Sequence, residues 1–136
     1  MVLLGLQIII NRIGPSTLRY RLGHGEIIID TATRPIRVLF EHVVSIALVD
    51  GQSLRYRSGQ SLKGYHLGTF FGPSGVIAVA ASRVQGPGLL VTHWGRVGLG
   101  RRPQRLFISP DEPLVARVLF EERLAERRHR IHLGQP

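Results

Sequence analysis

The sequence contains no cysteine, which excludes a disulfide-stapled scaffold and any thiolate metal site while leaving the compartment open. It also has no apolar run near the roughly 20 residues that a membrane-spanning helix needs. The apolar stretch Met1 to Ile10 (MVLLGLQIII) is too short and lacks the basic start and small-residue cleavage site of a signal peptide. Its isoleucines favour a β-strand, and a short anchor or an interface is the alternative, with Leu3, Leu4 and Leu6 as the contact residues. Lysine is nearly missing: Lys63 stands alone beside seventeen arginines. Acids are few, nine against eighteen cations, so the formal charge is +9. There is no Gly-x-Ser-x-Gly nucleophile elbow, and GRVGLGRR (residues 95–102) fits neither a dinucleotide fingerprint nor a phosphate loop. Of six histidines only His129 and His132 have helical metal spacing, and they read as part of a solvated basic tail. No catalytic group, metal or cofactor is therefore expected.

What is present fits one domain. At 136 residues and 43% hydrophobic content the chain is long enough for a single core. Sixteen glycines and eight prolines punctuate short apolar runs rather than forming a low-complexity tract. Thr17 to Leu22 alternates Leu18, Tyr20 and Leu22 against Arg19 and Arg21, the period of a half-buried strand. Gly23-His24-Gly25 turns it into Glu26 to Asp30. Strands are expected again over Ile36–Phe40, His42–Val49 and Leu54–Arg57, with Ser58 to Gly64 irregular. Further strands follow at His66–Phe71, Val76–Ala81 (central, both faces covered) and Leu89–His93. Gly95 to Gln104 reads as a glycine-rich basic loop, and Arg105–Ile108 as the last strand.

The end of the chain changes period. A helix is expected to run to about His129, and two starts compete. Ser109 with Glu112 spells a capping box, but that places Pro113 inside the first turn. Pro113 as first helical residue avoids the conflict and is preferred. Two apolar stripes appear on this helix. One holds Leu114, Val115, Val118 and Leu119; the other holds Ala116, Phe120 and Leu124. A helix lying on a sheet normally buries one such stripe, so the second is expected either to widen the contact or to meet a partner, and Phe120 and Leu124 are taken as interface candidates.

The order of these elements carries a resemblance. Gly59, Ser61, Leu62, Gly64, Tyr65, Gly68 and Phe70 follow the spacing of a Gly-Thr-Ser-Leu-Pro-Gly-Tyr-x-x-Gly-x-Phe stretch. Ser109, Pro110, Asp111 and Pro113 then follow Ser-Pro-Asp-Asp-Pro. The chain from Thr17 to Leu124 thus resembles the bacterial pleckstrin-homology-like (PH-like) domain family. Gln60, Lys63 and Glu112 depart from the pattern, where the family has Thr, Pro and Asp. The resemblance implies a mainly β fold: a bent antiparallel sheet or partly open barrel of about seven or eight strands closed by one C-terminal α-helix. It divides the chain into an apolar segment 1–16, a PH-like domain 17–128 and a basic tail 129–136. It implies a non-enzymatic module, often attached to membrane proteins, with a membrane-associated or cytoplasmic location.

Two functional readings follow. In the first, the module docks onto a protein or membrane-protein complex, or onto a second copy of itself. In the second, it binds anionic ligands, lipid headgroups before nucleic acid, through Arg96, Arg101, Arg102 and Arg105 beside Trp94. Guanidinium groups pair bidentately with phosphate, and an aromatic neighbour can sit at a lipid interface or stack on a base. Arg19 and Arg21 are a second candidate pair. The turn beside them, Gly23 to Gly25, is too short to wrap a headgroup.

Overall fold

A computed structural model describes residues 8–9, 18–32, 34–62, 64–73, 75–97 and 100–134. Residues 8, 9, 96, 97, 100, 101 and 131 are described by their backbone alone. The first sheet has the order β1-β2-β3-β4: Ile8–Ile9, Arg19–Leu22, Glu26–Asp30 and Ile36–Leu39, all antiparallel. Its first member is only a two-residue pairing on the edge of β2. The alternation of β2 appears as expected, with Leu18, Tyr20 and Leu22 fully buried and Arg19 and Arg21 on the other face. Leu3, Leu4 and Leu6 lie outside the described residues.

A 3-10 turn over Phe40–His42 leads into the second sheet. This sheet comprises β5 (Val43–Asp50), β6 (Arg55–Leu62), β7 (Tyr65–Gly72), β8 (Gly75–Ala81), β9 (Pro87–Val97) and β10 (Gly100–Ile108). Their spatial order is β5-β9-β10-β8-β7-β6. The single sheet or partly open barrel expected from the sequence is therefore two open sheets, and neither closes among the described residues. One pairing is not antiparallel. The hairpin of β9 and β10 folds back so that β10 enters beside β8 in parallel, with Leu106 opposite Ala78 and Phe107 opposite Val79.

Two expected loops are strands. Residues 58–62 do not form an irregular bend, because β6 continues to Leu62 and pairs with β7 from Ser58 opposite Thr69 to Leu62 opposite Tyr65. Gly59 faces Gly68 across this hairpin. A Cβ on Gly68 would stand 2.1 Å from the Ser58 carbonyl oxygen, and one on Gly59 2.5 Å from the Gly68 Cα. The glycines thus let two backbones approach where side chains would collide. The basic stretch is likewise strand where it is described: residues 95–97 and 100–104 are arms of β9 and β10, with Gly95 opposite Arg102 and Arg96 opposite Arg101. β8 is central as expected, yet Val76 is 47% exposed, so its two faces are covered only toward its C-terminal end.

The helix α1 spans Pro113–His132. Its first turn closes with the Ala116 N–H donating to the Glu112 carbonyl at 2.9 Å. The proline is first in the helix, where its missing N–H costs nothing. Ser109 is not a cap. It is buried, and its hydroxyl accepts the Ser82 N–H at 3.0 Å and the Arg83 N–H at 3.3 Å. Ala116, Phe120 and Leu124 face inward and join Tyr20, Phe40, Leu89 and Ile108 in the main core between the two sheets and the helix. A second, smaller cluster of Phe70, Ile77, Val79, Ala81 and Phe107 fills the other face of the large sheet.

Candidate functional site

The sequence has no acidic residue between Asp50 and Asp111, and eight cations lie in that interval: Arg55, Arg57, Lys63, Arg83, Arg96, Arg101, Arg102 and Arg105. The rest of the chain sets ten arginines against all nine acids. The tertiary structure makes this division spatial. Strands β6 to β10 all fall in the acid-free interval and are contiguous in the large sheet. Six of these cations, Arg55, Arg57, Arg96, Arg101, Arg102 and Arg105, therefore sit on five adjacent strands with no carboxylate of their own. This was legible in the sequence as a missing residue type, and a search for basic clusters passes over it because the arginines are dispersed.

Within that surface, parallel pairing decides which residues meet. β8 and β10 run in the same direction, so the β7–β8 turn and the β9–β10 tip lie at one end of the sheet. The tip carries Arg96 opposite Arg101, Gly95 opposite Arg102 and Trp94 opposite Pro103. Trp94 is 45% exposed and Arg102 is exposed. Arg105 lies further down the arm, and its guanidinium reaches the β7–β8 turn. Its Nη2 lies 3.1 Å from where a Cβ on Gly75 would be.

The structure adds apolar residues to this end. Phe71 pairs with Val76 across the β7–β8 hairpin, and both are about half exposed. Arg55 is in register with Phe71 on the other side. A bulge between Tyr56 and Ser58 takes Arg57 out of the strand's alternation. The Arg57 guanidinium lies 5.9 Å from the Phe71 ring centroid and donates to the Thr69 hydroxyl at 3.3 Å. Exposed aromatic and apolar groups interleaved with guanidinium groups are the composition of a surface that meets an anionic interface.

The other candidate cations are placed elsewhere. Arg21 makes a two-pronged pair with Asp30, Nε to Oδ2 at 2.7 Å and Nη2 to Oδ1 at 2.9 Å, and Arg19 is 4.0 Å from the same carboxylate. Arg37 pairs with Glu26 on the same face. Arg19 and Arg21 thus share the Asp30 carboxylate on the first sheet, apart from the arginine end of the second. On the helix, Arg127 reaches Glu41 at 3.2 Å, and Arg123 donates to His24 Nδ1 at 3.1 Å.

Phe120 and Leu124, taken as interface candidates, are buried in the main core and bind the helix to its own sheets. The exposed stripe is the other one: Leu114 is 64%, Val115 52% and Val118 55% exposed. His93, half-buried at the base of the β9–β10 arm, has its pKa lowered from the usual histidine value, chiefly by burial. No three metal-ligating side chains cluster among the described residues, and no described helix is long and apolar enough to cross a membrane. No family model matches the chain, and no curated protein or solved structure is significantly similar to it.

Proposed function

We propose that this chain is a non-enzymatic, PH-like interaction module that docks on the anionic face of a membrane or of a membrane-protein complex. The contact is the arginine end of its large sheet. The observation that carries this reading is the segregation of charge: five adjacent strands hold no carboxylate and expose Trp94, Phe71 and Val76 among their arginines. Long-range attraction brings such a surface to an anionic layer, and the apolar groups add contact area once it arrives.

Trp94 is the sole tryptophan and is an intrinsic reporter of the contact. Titration with vesicles containing anionic phospholipid should shift its emission to the blue, and neutral vesicles should leave it unchanged. Each basic residue near a charged bilayer contributes about 1 kcal/mol. The double variant Arg101→Gln/Arg102→Gln should therefore bind about 30-fold more weakly. Added salt should weaken the wild type steeply. Indifference to both lipid charge and salt would remove the proposal. Tight binding of an oligonucleotide with no response to vesicles would move it to nucleic acid, which needs the same charges and could stack on Trp94.

A further inference from the structure

The two outer edges of the large sheet are built differently. β6 carries Arg55 and Arg57, a bulge, and Gly59 at a φ of +95°, all features that discourage a further strand from pairing. β5 reads VVSIALVD and has no charge before Asp50. Its one irregularity lies between Val43 and Ser45, which leaves Ser45 to Asp50 in unbroken register with β9. Among the described residues no strand covers its outer edge. An uncharged, regular edge of β-prone residues is a template for another strand.

The helix extends this edge into a surface. Ile108 is opposite Leu89, and Leu89 is opposite Leu48, so α1, which begins five residues after Ile108, starts at the Leu48 end of β5. At the other end the Arg128 guanidinium donates to the Val44 carbonyl at 3.4 Å. The helix therefore runs antiparallel to β5. Glu121, Leu124, Ala125 and Arg128 form an open groove with Val44, Ser45 and Ile46. Leu114 and Val118 precede Glu121, Ala125 and Arg128 at alternating spacings of four and three, one stripe of the helix surface. The exposed apolar stripe and the groove beside β5 are thus one continuous flank.

We infer that this flank is the dimer interface of the protein, with β5 of one copy pairing antiparallel to β5 of a second copy about a two-fold axis at Ala47. Three observations favour a second copy as the occupant. The regular stretch Ser45–Val49 is self-complementary about Ala47, because Ile46 of each copy then meets Leu48 of the other and both are apolar. The groove's lining carries one acid and one cation, Glu121 and Arg128, and so has no net charge of its own. The six cations of the acid-free strands lie on β6, β9 and β10, so β5 itself brings no like charge to the seam. A flank about 30 Å long and about 15 Å deep offers on the order of 500 Å² per copy, below the roughly 800 Å² of a standard interface. The dimer is weak and concentration-dependent.

The inference stands whatever the arginine end docks on. Sedimentation of the full chain over a wide concentration series should show the mass rising from one chain to two, with added salt neutral or favourable. Ala47 is exposed, so Ala47→Lys should fold, place a charge at the axis and stay monomeric at every concentration. Paired residues of adjacent antiparallel strands have Cα atoms about 4.5 or 5.5 Å apart, within disulfide range. Ala47→Cys, the only thiol in the chain, should therefore cross-link rapidly on mild oxidation, and Ala78→Cys, exposed on β8, should lag at least tenfold. A wild type that stays monomeric overturns the inference. So does an Ala47→Lys variant that still dimerises, or an Ala47→Cys variant that cross-links no faster than the control.

Discussion

Tyr20 shows how a single hydroxyl ties the two sheets together. Its ring is fully buried in the main core, and its O–H donates to the Ala80 carbonyl at 2.6 Å and accepts the Ser109 N–H at 3.0 Å. One side chain on β2 thereby satisfies the backbone at the ends of β8 and β10. Tyr20→Phe keeps the ring but leaves a buried carbonyl and a buried N–H without that partner. Each such group costs about 1–3 kcal/mol, so chemical denaturation at neutral pH should show a loss of about 2–6 kcal/mol. The same burial pushes the Tyr20 pKa up to about 12 from 10.0, desolvation outweighing the hydrogen bonds from Ser109. The sign follows from which state ionises first. The unfolded chain loses this proton near pH 10 while the folded chain holds it, so the stability is complete below pH 10 and is lost between 10 and 12. In Tyr20→Phe the alkaline fall over that window should be shallower. An identical fall in both proteins would show that another group governs it.

At the scale of elements, the β6–β7 hairpin depends on what two of its residues lack. Gly59 and Gly68 face each other, and Gly68 has a carbonyl oxygen where its Cβ would be. Gly68→Ala should separate the strands or shift their register, costing about 1–3 kcal/mol or more, measured as a lower midpoint of thermal unfolding. Gly25→Ala is the control. Gly25 has no atom within 4 Å of its would-be Cβ and no positive φ, so its midpoint should change little. The helix makes a similar point about selection. Both its stripes are apolar, and nothing in their composition says which is buried. Burial went to Ala116, Phe120 and Leu124 because α1 leaves β10 at Ser109, a residue held in place by Ser82, Arg83 and Tyr20. That entry angle is a property of the two sheets, not of the helix.

At the scale of the whole molecule, charge and pairing edge fall on different strands of one sheet. β5 and the β6–β10 surface belong to one sheet, but the net positive charge sits on the latter and the uncharged edge on the former. An antiparallel β5–β5 pairing reverses the strand direction between copies, so the two arginine ends point in opposite directions. The dimer would then bridge two anionic surfaces rather than grip one with both sites. Wild-type protein should cluster anionic vesicles, read as a rise in turbidity, while Ala47→Lys should bind them and leave them dispersed. Clustering by Ala47→Lys equal to that of the wild type would break the link between dimer and bridging.

Local pattern was enough for much of this architecture. The alternation of β2, the turn at Gly23 to Gly25 and the start of α1 at Pro113 were readable because period, turn chemistry and the missing proline N–H act over a few residues. The absence of acids between Asp50 and Asp111 was equally readable, since a residue type that is missing needs no fold to be counted. Segments 58–64 and 95–104 read as loops because glycine and arginine are poor strand formers in isolation. Their described residues 58–62, 95–97 and 100–104 are strand because partners, β7 for one and the returning β10 for the other, supply the hydrogen bonds and the space. Only the tertiary structure could place β10 parallel to β8, pair Arg19 and Arg21 with Asp30, choose the buried helix stripe and leave β5 at an edge. Each of these depends on contacts between residues far apart in the chain, and no local preference encodes them.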